Sequence, residues 1–581
     1  MLAETPFLKT SNDVVRAFLS SVVLVDDQAY LVAATEDPQP TKLSSPGRQG
    51  GSQTVPSEAT TSADRGSDKQ ASQEISPPTE SNTATAPAAA KEIEGAASKR
   101  DHTLDGKIVI DVFAKIGVVC AVMRPTKEEL GDLPNLLAAV GANSDAVILD
   151  WVLHDSKSGE KTLELIERLV KSAADEMRTR LIVVYTAEPD LSDIEEKIRK
   201  KLGAGQGLEP LTVVSGGTRI CVYGKAGIRP ARIGEVRSKT PGELAEVVVA
   251  EFSHMTKGLL SNVAMKSIAS IRARTFQLLS RFDSDIDAPY VTQSALISPE
   301  KAEEQLTSLI VSEIQEILED DDVAAIADYD GIINWLDDRR ANGLALPVSP
   351  DLTADEFYAG LKQLIRDGVR KTALTKLKTD HGVFVGKIIV GKDKDKEPMY
   401  IRNALTGILR SHPQAPHESD ELWTMLMSLR HRYSNPAPML TLGVVVARQK
   451  EDNTEYFLCL QPVCDSVRLK SARPFPLLQL TLASNSKSCD LIVRDGQLKF
   501  LQVKPSPYKL EMISFSPNRN EKVMADSDGR YFWFSASENV RYRWVADLKP
   551  AHAQRVANNF GHTFSRVGLV ESEWNRLGSS F

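Results

Sequence analysis

The sequence predicts a doubly wound α/β domain with a five-stranded parallel sheet, followed by a helical region and a separate α+β domain. Three observations support this. Between residues 104 and 237, short continuous apolar runs alternate with segments whose apolar residues recur at helical spacing. Between 241 and 343 the patterns are mostly helical. From 345 onward, helical patterns mix with short strands that alternate polar and apolar residues, which indicates a largely antiparallel sheet.

Length and composition narrow the class of protein. A chain of 581 residues is long enough for several domains. Its net charge of −8 argues against a nucleic-acid partner, which needs a basic surface. No apolar run approaches the roughly 20 residues of a membrane span, and the N-terminus lacks a signal-peptide pattern. Five scattered cysteines do not form a disulfide framework. We therefore expect a cytoplasmic protein with no membrane partner.

The composition also sets the domain boundaries. Residues 1–35 and 102–238 are predicted to form the α/β domain, and 36–101 interrupt it. This insert is rich in Ser, Thr, Ala and Pro and has no aromatic residue, so we expect a disordered loop. Residues 239–344 follow as a helical connector, and 345–581 as an α+β domain of unknown function.

The elements of the α/β domain can be assigned in chain order. Helices are predicted at 104–117, from Thr126, at 159–178 and at 191–203, and strands at 22–27 (VVLVDD), 118–123 (VVCAVM), 146–151 (AVILDW), 181–189 (LIVVYTAEP) and 219–225 (RICVYGK). In the C-terminal domain, strands are predicted at 383–390 (VFVGKIIV), 441–448 (TLGVVVAR), 456–461 (YFLCLQ), 478–483 (LQLTLA), 499–503 (KFLQV) and 530–536 (RYFWFSA).

Polar residues end four of the five predicted parallel strands. Asp26 and Asp27 end the first strand, Asp150 the third, Thr186 the fourth and Lys225 the fifth. The carboxyl ends of parallel strands meet at one edge of a sheet, so these side chains should converge there. Three neighbouring carboxylates repel unless a cation offsets their charge, and oxygen ligands suit Mg²⁺. The pattern predicts an Mg²⁺ site that serves phosphoryl transfer onto Asp150.

This set of residues in this order resembles the receiver domain of two-component response regulators. The resemblance covers about residues 15–35 and 102–238 and implies a CheY-like, flavodoxin-like fold. It also implies a cognate histidine kinase as partner and phosphorylation of Asp150. The residues to which it assigns roles are the Mg²⁺ ligands Asp26, Asp27, Asp150 and the carbonyl of Val152, and the catalytic Thr186 and Lys225.

Two positions depart from the receiver pattern. Ala226 follows Lys225 where receivers usually have proline. Val222 lies three residues before the lysine, where receivers often carry an aromatic switch residue, and Tyr223 is displaced by one. These departures concern the output switch rather than the phosphoacceptor. The alternative is a pseudo-receiver that keeps the acids without phosphoryl chemistry.

The architecture gives a second, broader resemblance. Receivers with long C-terminal regions and no evident DNA-binding output resemble those of bacterial conflict systems, such as the Detocs type of antiphage two-component system. That resemblance implies a role in antiviral defence, as a phosphate sink or as a regulatory partner of a downstream effector protein.

Two alternatives concern the C-terminal domain. In the first it is an effector enzyme, a hydrolase or nuclease, with Cys464, Asp465, His417 and His431 as candidate catalytic residues. In the second it binds nucleic acid. A zinc site that uses the Cys464 region is disfavoured because no second pair of ligands follows at zinc-site spacing. The segment 423–433 (WTMLMSLRHRY) is predicted to be a helix that packs its Trp and Met side chains and exposes its arginines.

Overall fold

A computed structural model describes residues 5–31, 103–388, 405–409 and 418–564, apart from short gaps at 142, 155–158, 176–178, 206–208, 227–236, 298, 345, 347–348, 452, 505 and 538–539. The predicted insert, 36–101, lies outside the described residues. The chain divides into two compact units, residues 1–345 and 346–581.

The first unit contains the predicted alternation of strands and helices. Its α/β elements are α1 (Pro6–Phe18), β1 (Ser21–Val25), β2 (Ala29–Tyr30), β3 (Leu104–Asp105), α2 (Gly106–Lys115), β4 (Val119–Met123), α3 (Leu133–Gly141), β5 (Ala146–Leu149), α4 (Glu160–Asp175), β6 (Arg180–Thr186), α5 (Leu191–Leu202), β7 (Thr212–Ser215), β8 (Thr218–Lys225), β9 (Ser238–Lys239) and α6 (Leu244–Met255).

The central sheet confirms the doubly wound prediction. In the described part of the chain, five strands run parallel in the order β4-β1-β5-β6-β8. Two strands were not predicted: β7 pairs antiparallel with β8 at the edge, and β9 runs parallel beside the end of β8. The short strands β2 and β3 pair in parallel, so Ala29 and Leu104 lie side by side although the insert separates them in sequence.

Helices cover both faces of this sheet because successive strand residues point to opposite sides. On β1, Val22 and Leu24 pack into a core that α1, α2 and α6 cover. Val23 and Val25 pack into a second core against α3, α4 and α5. Both faces of the sheet are therefore buried against helices, and the polar residues that end the strands lie at its carboxyl edge.

The first α-helix of the predicted helical region, 239–344, is α6. After it come α7 (Leu259–Ala273), α8 (Thr275–Ser280), α9 (Asp287–Ile297), α10 (Pro299–Asp320) and α11 (Tyr329–Ala341). Helix α6 itself contributes buried residues such as Val248 and Phe252 to the α/β core. It serves as the covering helix that follows the fifth parallel strand.

The second unit is α+β, as predicted. Its elements are α12 (Ala354–Asp367), α13 (Lys371–Asp380), α14 (Gly382–Ile388), α15 (Glu418–Ser428), β10 (Val444–Lys450), β11 (Asn453–Cys459), β12 (Arg473–Leu482), β13 (Leu491–Asp495), β14 (Gln497–Gln502), β15 (Leu510–Phe515), β16 (Asp526–Ser527), β17 (Phe532–Ser535), β18 (Arg541–Asp547) and α16 (Pro550–Phe564). The pairings among these described strands are antiparallel.

Two local predictions in this unit were wrong. The segment 383–388 is helix α14 rather than a strand, since Phe384, Val385 and Ile388 are buried at helical spacing. The Phe384 ring packs edge-on against Phe357 of α12 at 4.9 Å, and this tertiary contact overrides the β-branched composition.

The second error concerns α15, which ends at Ser428 instead of continuing to Tyr433. Trp423 and Met427 on this helix are exposed, at 48% and 58%, rather than packed. Arg432 is partly buried rather than exposed, because its guanidinium lies over the Trp544 ring and pairs with Asp547.

Candidate functional site: an acid cluster at the carboxyl edge of the sheet

Three carboxylates meet at the carboxyl edge of the parallel sheet, as the strand ends predicted. Asp26 and Asp27 follow β1, and Asp150 follows β5. Backbone hydrogen bonds fix the positions of Asp26 and Asp150, because Asp26 N donates to Met123 O and Asp150 N donates to Val25 O. One oxygen from each of the three side chains lies within 4.8 Å of the others. We call Asp26, Asp27 and Asp150 the acid cluster.

Lys225, the last residue of β8, brings a positive charge into this cluster. Its Nζ lies 2.9 Å from Asp26 Oδ2 and 2.9 Å from Asp150 Oδ2. All three side chains are buried. Burial by itself lowers the pKa of Lys225, but the charges of Asp150 and Asp26 raise it overall, so the ammonium stays protonated.

Asp150 is held close to neutrality. Burial raises its pKa most, Lys225 lowers it and Asp26 raises it again, which leaves the pKa at about 7. Burial therefore outweighs the attraction of the Lys225 charge at Asp150. A divalent cation among these oxygens would lower the pKa of Asp150 and favour the carboxylate, which is the nucleophilic form.

Asp27 supplies the clearest evidence for such a cation. Its Oδ2 accepts a 3.1 Å hydrogen bond from His154 N. Its Oδ1 is buried and has no hydrogen-bond partner among the described residues. A buried carboxylate oxygen without a donor is costly, and the acid cluster offers only oxygen ligands. This donor set fits Mg²⁺, which prefers oxygen and keeps part of its hydration shell.

His154 is a site residue that the sequence analysis did not identify. It has a left-handed backbone with φ of 49°. One ring nitrogen, Nε2, lies 2.6 Å from Pro125 O, and the other, Nδ1, lies 3.5 Å from Asp27 Oδ2. His154 therefore fixes the Asp27 carboxylate from outside the cluster. The only signal in the sequence is its place in the loop after the acceptor strand.

Thr186 and Val152 lie where the sequence placed them. Thr186 ends β6, is fully buried and accepts a 3.1 Å hydrogen bond from Glu188 N through its Oγ1. No hydrogen bond from its own hydroxyl proton is seen among the described residues, so this proton can be donated to a ligand. Val152 N lies 3.4 Å from Asp150 Oδ1, which fixes the backbone two residues after the acceptor.

The segment after Asp150 is also constrained. Thr162 Oγ1 lies 2.9 Å from Asp150 O and 3.1 Å from Trp151 O, and Trp151 is buried. Gly159 has φ of 70°, and a Cβ there would lie 2.1 Å from the Trp151 ring. Only glycine fits this position without moving Trp151.

The comparison with protein families agrees with this geometry. The model of the response receiver domain family matches residues 18–229. Residues 18–229 are a response receiver domain. The match spans both parts of the α/β domain and the insert between them. No curated protein and no solved structure matches the chain.

A receiver domain gives this chain the phosphoacceptor role of a response regulator in signal transduction, with histidine kinases as the general class of phosphodonor. The described helices include none that is long and apolar enough to cross a membrane. Of the two departures from the receiver pattern, Val222 lies on β8, and Ala226 directly follows Lys225, the last residue of that strand.

On β8, Val222 and Tyr223 face opposite sides of the receiver sheet. Val222 packs into the core under α3, α4 and α5. Tyr223 points to the other face, where its hydroxyl lies 2.5 Å from Glu251 Oε1 on α6. The aromatic side chain of the strand is therefore tied to a buried carboxylate on the helix that follows the domain's last strand.

Glu251 is the centre of a second buried polar cluster, which the sequence analysis missed. Its partners are the Arg219 guanidinium at 2.8 Å, the Cys221 thiol at 3.1 Å, the Tyr223 hydroxyl and the Arg237 guanidinium at 2.9 Å. Burial alone would raise the pKa of Glu251, but the Tyr223 hydrogen bond and the arginine charges lower it to about 2. We call these five residues the Glu251 cluster.

The candidate catalytic residues of the second unit are not assembled in this way. Cys464 and His431 are exposed, and no hydrogen bond joins Cys464, Asp465 and His431 in the described part of the chain. His431 instead stacks edge-on with Tyr433. His417 lies outside the described residues. The hydrogen-bonded nucleophile and base expected of a hydrolase are thus not seen among the three described residues.

Proposed function

We propose that this protein is a response regulator that accepts a phosphoryl group on Asp150 from a cognate histidine kinase, with Mg²⁺ at the acid cluster. One observation carries the proposal. The Lys225 ammonium lies between Asp150 and Asp26, and beside them a buried oxygen of Asp27 has no donor among the residues that the structure describes. This combination suits a site that binds a cation and a phosphoryl group together.

Asp26, Asp27, Asp150 and the carbonyl of Val152 would hold the ion. When bound, Mg²⁺ would offset negative charge on the phosphoryl oxygens. The other elements of the mechanism belong to the chain itself and can be derived from the contacts above.

In the transfer, a carboxylate oxygen of Asp150 attacks phosphorus and forms an acyl phosphate. The P–N bond of the phosphohistidine breaks, and the imidazole nitrogen leaves with the electron pair. Lys225 is already within hydrogen-bond distance of Asp150 and can pair with a phosphoryl oxygen. The free hydroxyl proton of Thr186 can donate to another phosphoryl oxygen.

The second unit would then act as an interaction or regulatory module that responds to phosphorylation. The domain arrangement extends the proposal to antiphage signalling, with the protein as a phosphate sink or as the regulatory partner of an effector. This extension rests on the arrangement of domains alone.

The direct test is mass spectrometry of the full chain after incubation with Mg²⁺ and a small acyl-phosphate donor. We expect one added phosphoryl group in the wild type and in an Asp132→Asn control, whose side chain is exposed, and none in Asp150→Asn. Equal labelling of Asp150→Asn and the wild type would refute the assignment of the acceptor.

A second measurement is needed in case the protein accepts phosphate only from its own kinase and not from a small donor. It measures ligand binding through the melting temperature. Mg²⁺ with beryllofluoride, a phosphoryl mimic, should raise the melting temperature of the wild type, because a ligand that binds only the folded state stabilises it. Asp27→Asn should abolish the response to Mg²⁺, and Asp132→Asn should retain it. If the wild type gains neither an adduct nor thermal stability, the pseudo-receiver interpretation is correct.

A further inference from the structure

The second unit contains a cleft that no motif of the receiver domain explains. Its volume is about 940 Å³, and it lies between the end of α15, the loop 430–443 and the start of α16. Clefts of about 300–1,000 Å³ are typical of small-molecule sites. Its lining includes the apolar residues Leu426, Leu442 and Val463. We call it the α15–α16 cleft.

Two of the cations that line this cleft, Arg430 and Lys549, are exposed and lie on neighbouring chain segments. Arg430 N donates to Asp547 O and Lys549 N donates to Ser428 O, each at 2.8 Å, and this pairing fixes the two segments side by side. The side chains of Arg430 and Lys549 are exposed and have no carboxylate partner in the described part of the chain. Both charges therefore remain available to a ligand.

The cleft has a positive balance of charge. Asp547 is the one carboxylate among the described residues that line it. Its Oδ2 lies 3.2 Å from the Arg432 guanidinium, and its Oδ1 accepts from the Trp544 indole at 2.8 Å. Asp547 is thus already offset, and the net charge of the lining attracts an anion.

The start of α16 forms one wall of the cleft. Pro550 and Ala553, in the first turn of this 15-residue helix, line it. Neither offers a backbone donor to a ligand, because Pro550 has no N–H and Ala553 N donates to Lys549 O at 2.9 Å. The preference for an anion therefore rests on the side chains of Arg430 and Lys549.

An aromatic surface completes the site. Tyr433 is 94% exposed, and its ring centroid lies 4.6 Å from that of His431 in an edge-on arrangement. Both residues line the cleft. An exposed aromatic face beside free cations favours a ligand that joins a flat ring to an anion, because rings stack on tyrosine while phosphate pairs with arginine and lysine.

We propose that the α15–α16 cleft binds a nucleotide, with its phosphate on Arg430 and Lys549 and its base on Tyr433. The second unit is then a ligand-binding module. This inference is independent of the phosphoacceptor role, because it uses only residues of the second unit.

The test is calorimetric titration of the full chain with ATP, AMP, adenosine and inorganic phosphate. We expect ATP or AMP to bind more tightly than adenosine or phosphate alone. Arg430→Gln combined with Lys549→Gln should weaken this binding about tenfold or more, since each lost charge-assisted bond contributes on that order. Tyr433→Ala should weaken it as well, while Tyr433→Phe, which keeps the ring, should not.

The matched control removes the same charge elsewhere. Arg494→Gln combined with Arg519→Gln alters two exposed arginines of the second unit that do not line the cleft, and should leave binding unchanged. Three results would overturn the proposal: no binding by either nucleotide, equal loss in the control, or salt-sensitive binding of single-stranded oligonucleotides that mononucleotides do not displace.

Discussion

Lys225 Nζ lies 2.9 Å from Asp150 Oδ2, in a pocket where both side chains are buried. The same ammonium lies 2.9 Å from Asp26 Oδ2. Two buried carboxylates thus share one ammonium, and burial raises the pKa of Asp150 to about 7. Lys225 therefore offsets part of the negative charge that is buried in the acid cluster.

Lys225→Met, which keeps the length of the side chain but removes its charge, should affect both stability and chemistry. Without the ammonium, Asp26 and Asp150 lose the cation that pairs with both of them, so the metal-free free energy of unfolding at pH 8 should fall by about 3 kcal/mol. Added Mg²⁺ should restore part of the loss. Phosphorylation by a small donor should slow about a hundredfold, as when a transition-state donor is removed.

Denaturant unfolding and time-resolved mass spectrometry measure the two effects. The control is Lys201→Met on α5, an exposed lysine that pairs with Glu167, and it should leave both measurements unchanged. Wild-type stability and labelling rate in Lys225→Met would contradict the role assigned to Lys225.

The acid cluster could be predicted because its signal is local. Each strand is a continuous apolar run, and Asp150, Thr186 and Lys225 stand where such a run ends. The topology of parallel strands then brings these ends together. His154 could not be found in this way, because its contact with Asp27 depends on the path of the loop after β5.

The Glu251 cluster could not be predicted from a local signal in the sequence. In the sequence, Glu251 is one of several acids on a predicted helix, and its burial depends on partners from β8 and from Arg237. A weak signal existed on β8, where Arg219, Cys221 and Tyr223 alternate and so share one strand face. What the sequence did not show was which helix would cover that face.

The buried ion pairs of Glu251 predict a pH-dependent contribution to stability. Its folded pKa of about 2 lies below the ordinary value of 4.5, so it stabilises the fold above about pH 4.5, and the contribution is lost as pH falls towards 2. Glu251→Gln should therefore lower the free energy of unfolding by about 3 kcal/mol at pH 6, and by less at pH 3.

Urea unfolding of both proteins between pH 3 and 6 gives this difference directly. Glu246→Gln, on the exposed face of the same helix, is the matched control and should show a small difference at every pH. A constant difference between wild type and Glu251→Gln across this range would mean that the carboxylate charge does not stabilise the cluster.

Two glycines with left-handed backbones allow the cost of backbone strain to be measured apart from the cost of steric contact with Trp151. Gly159 has φ of 70°, and a Cβ added to it would lie 2.1 Å from the nearest atom of the Trp151 ring. Gly203 has φ of 61°, and a Cβ added there would meet no other atom within 4 Å. Alanine at Gly203 should cost about 1 kcal/mol for backbone strain alone. Alanine at Gly159 should cost about 2 kcal/mol more, because Trp151 must move.

Thermal unfolding and tryptophan fluorescence follow this pair of variants. Since Trp151 follows Asp150 directly, Gly159→Ala should also slow phosphorylation, whereas Gly203→Ala should not. Equal destabilisation of the two variants would mean that the loop after β5 does not press on Trp151.

Helix α14 offers a test that distinguishes a helix from the strand that the sequence predicted. In a strand, Val383 and Val385 would share one face, and threonine substitution would affect them alike. In the helix, Val385 is 4% exposed and Val383 is 47% exposed. Val385→Thr buries a hydroxyl and should cost about 1–3 kcal/mol, while Val383→Thr should cost less than about 0.5 kcal/mol. Urea unfolding measures both, and similar losses at the two positions would favour the strand.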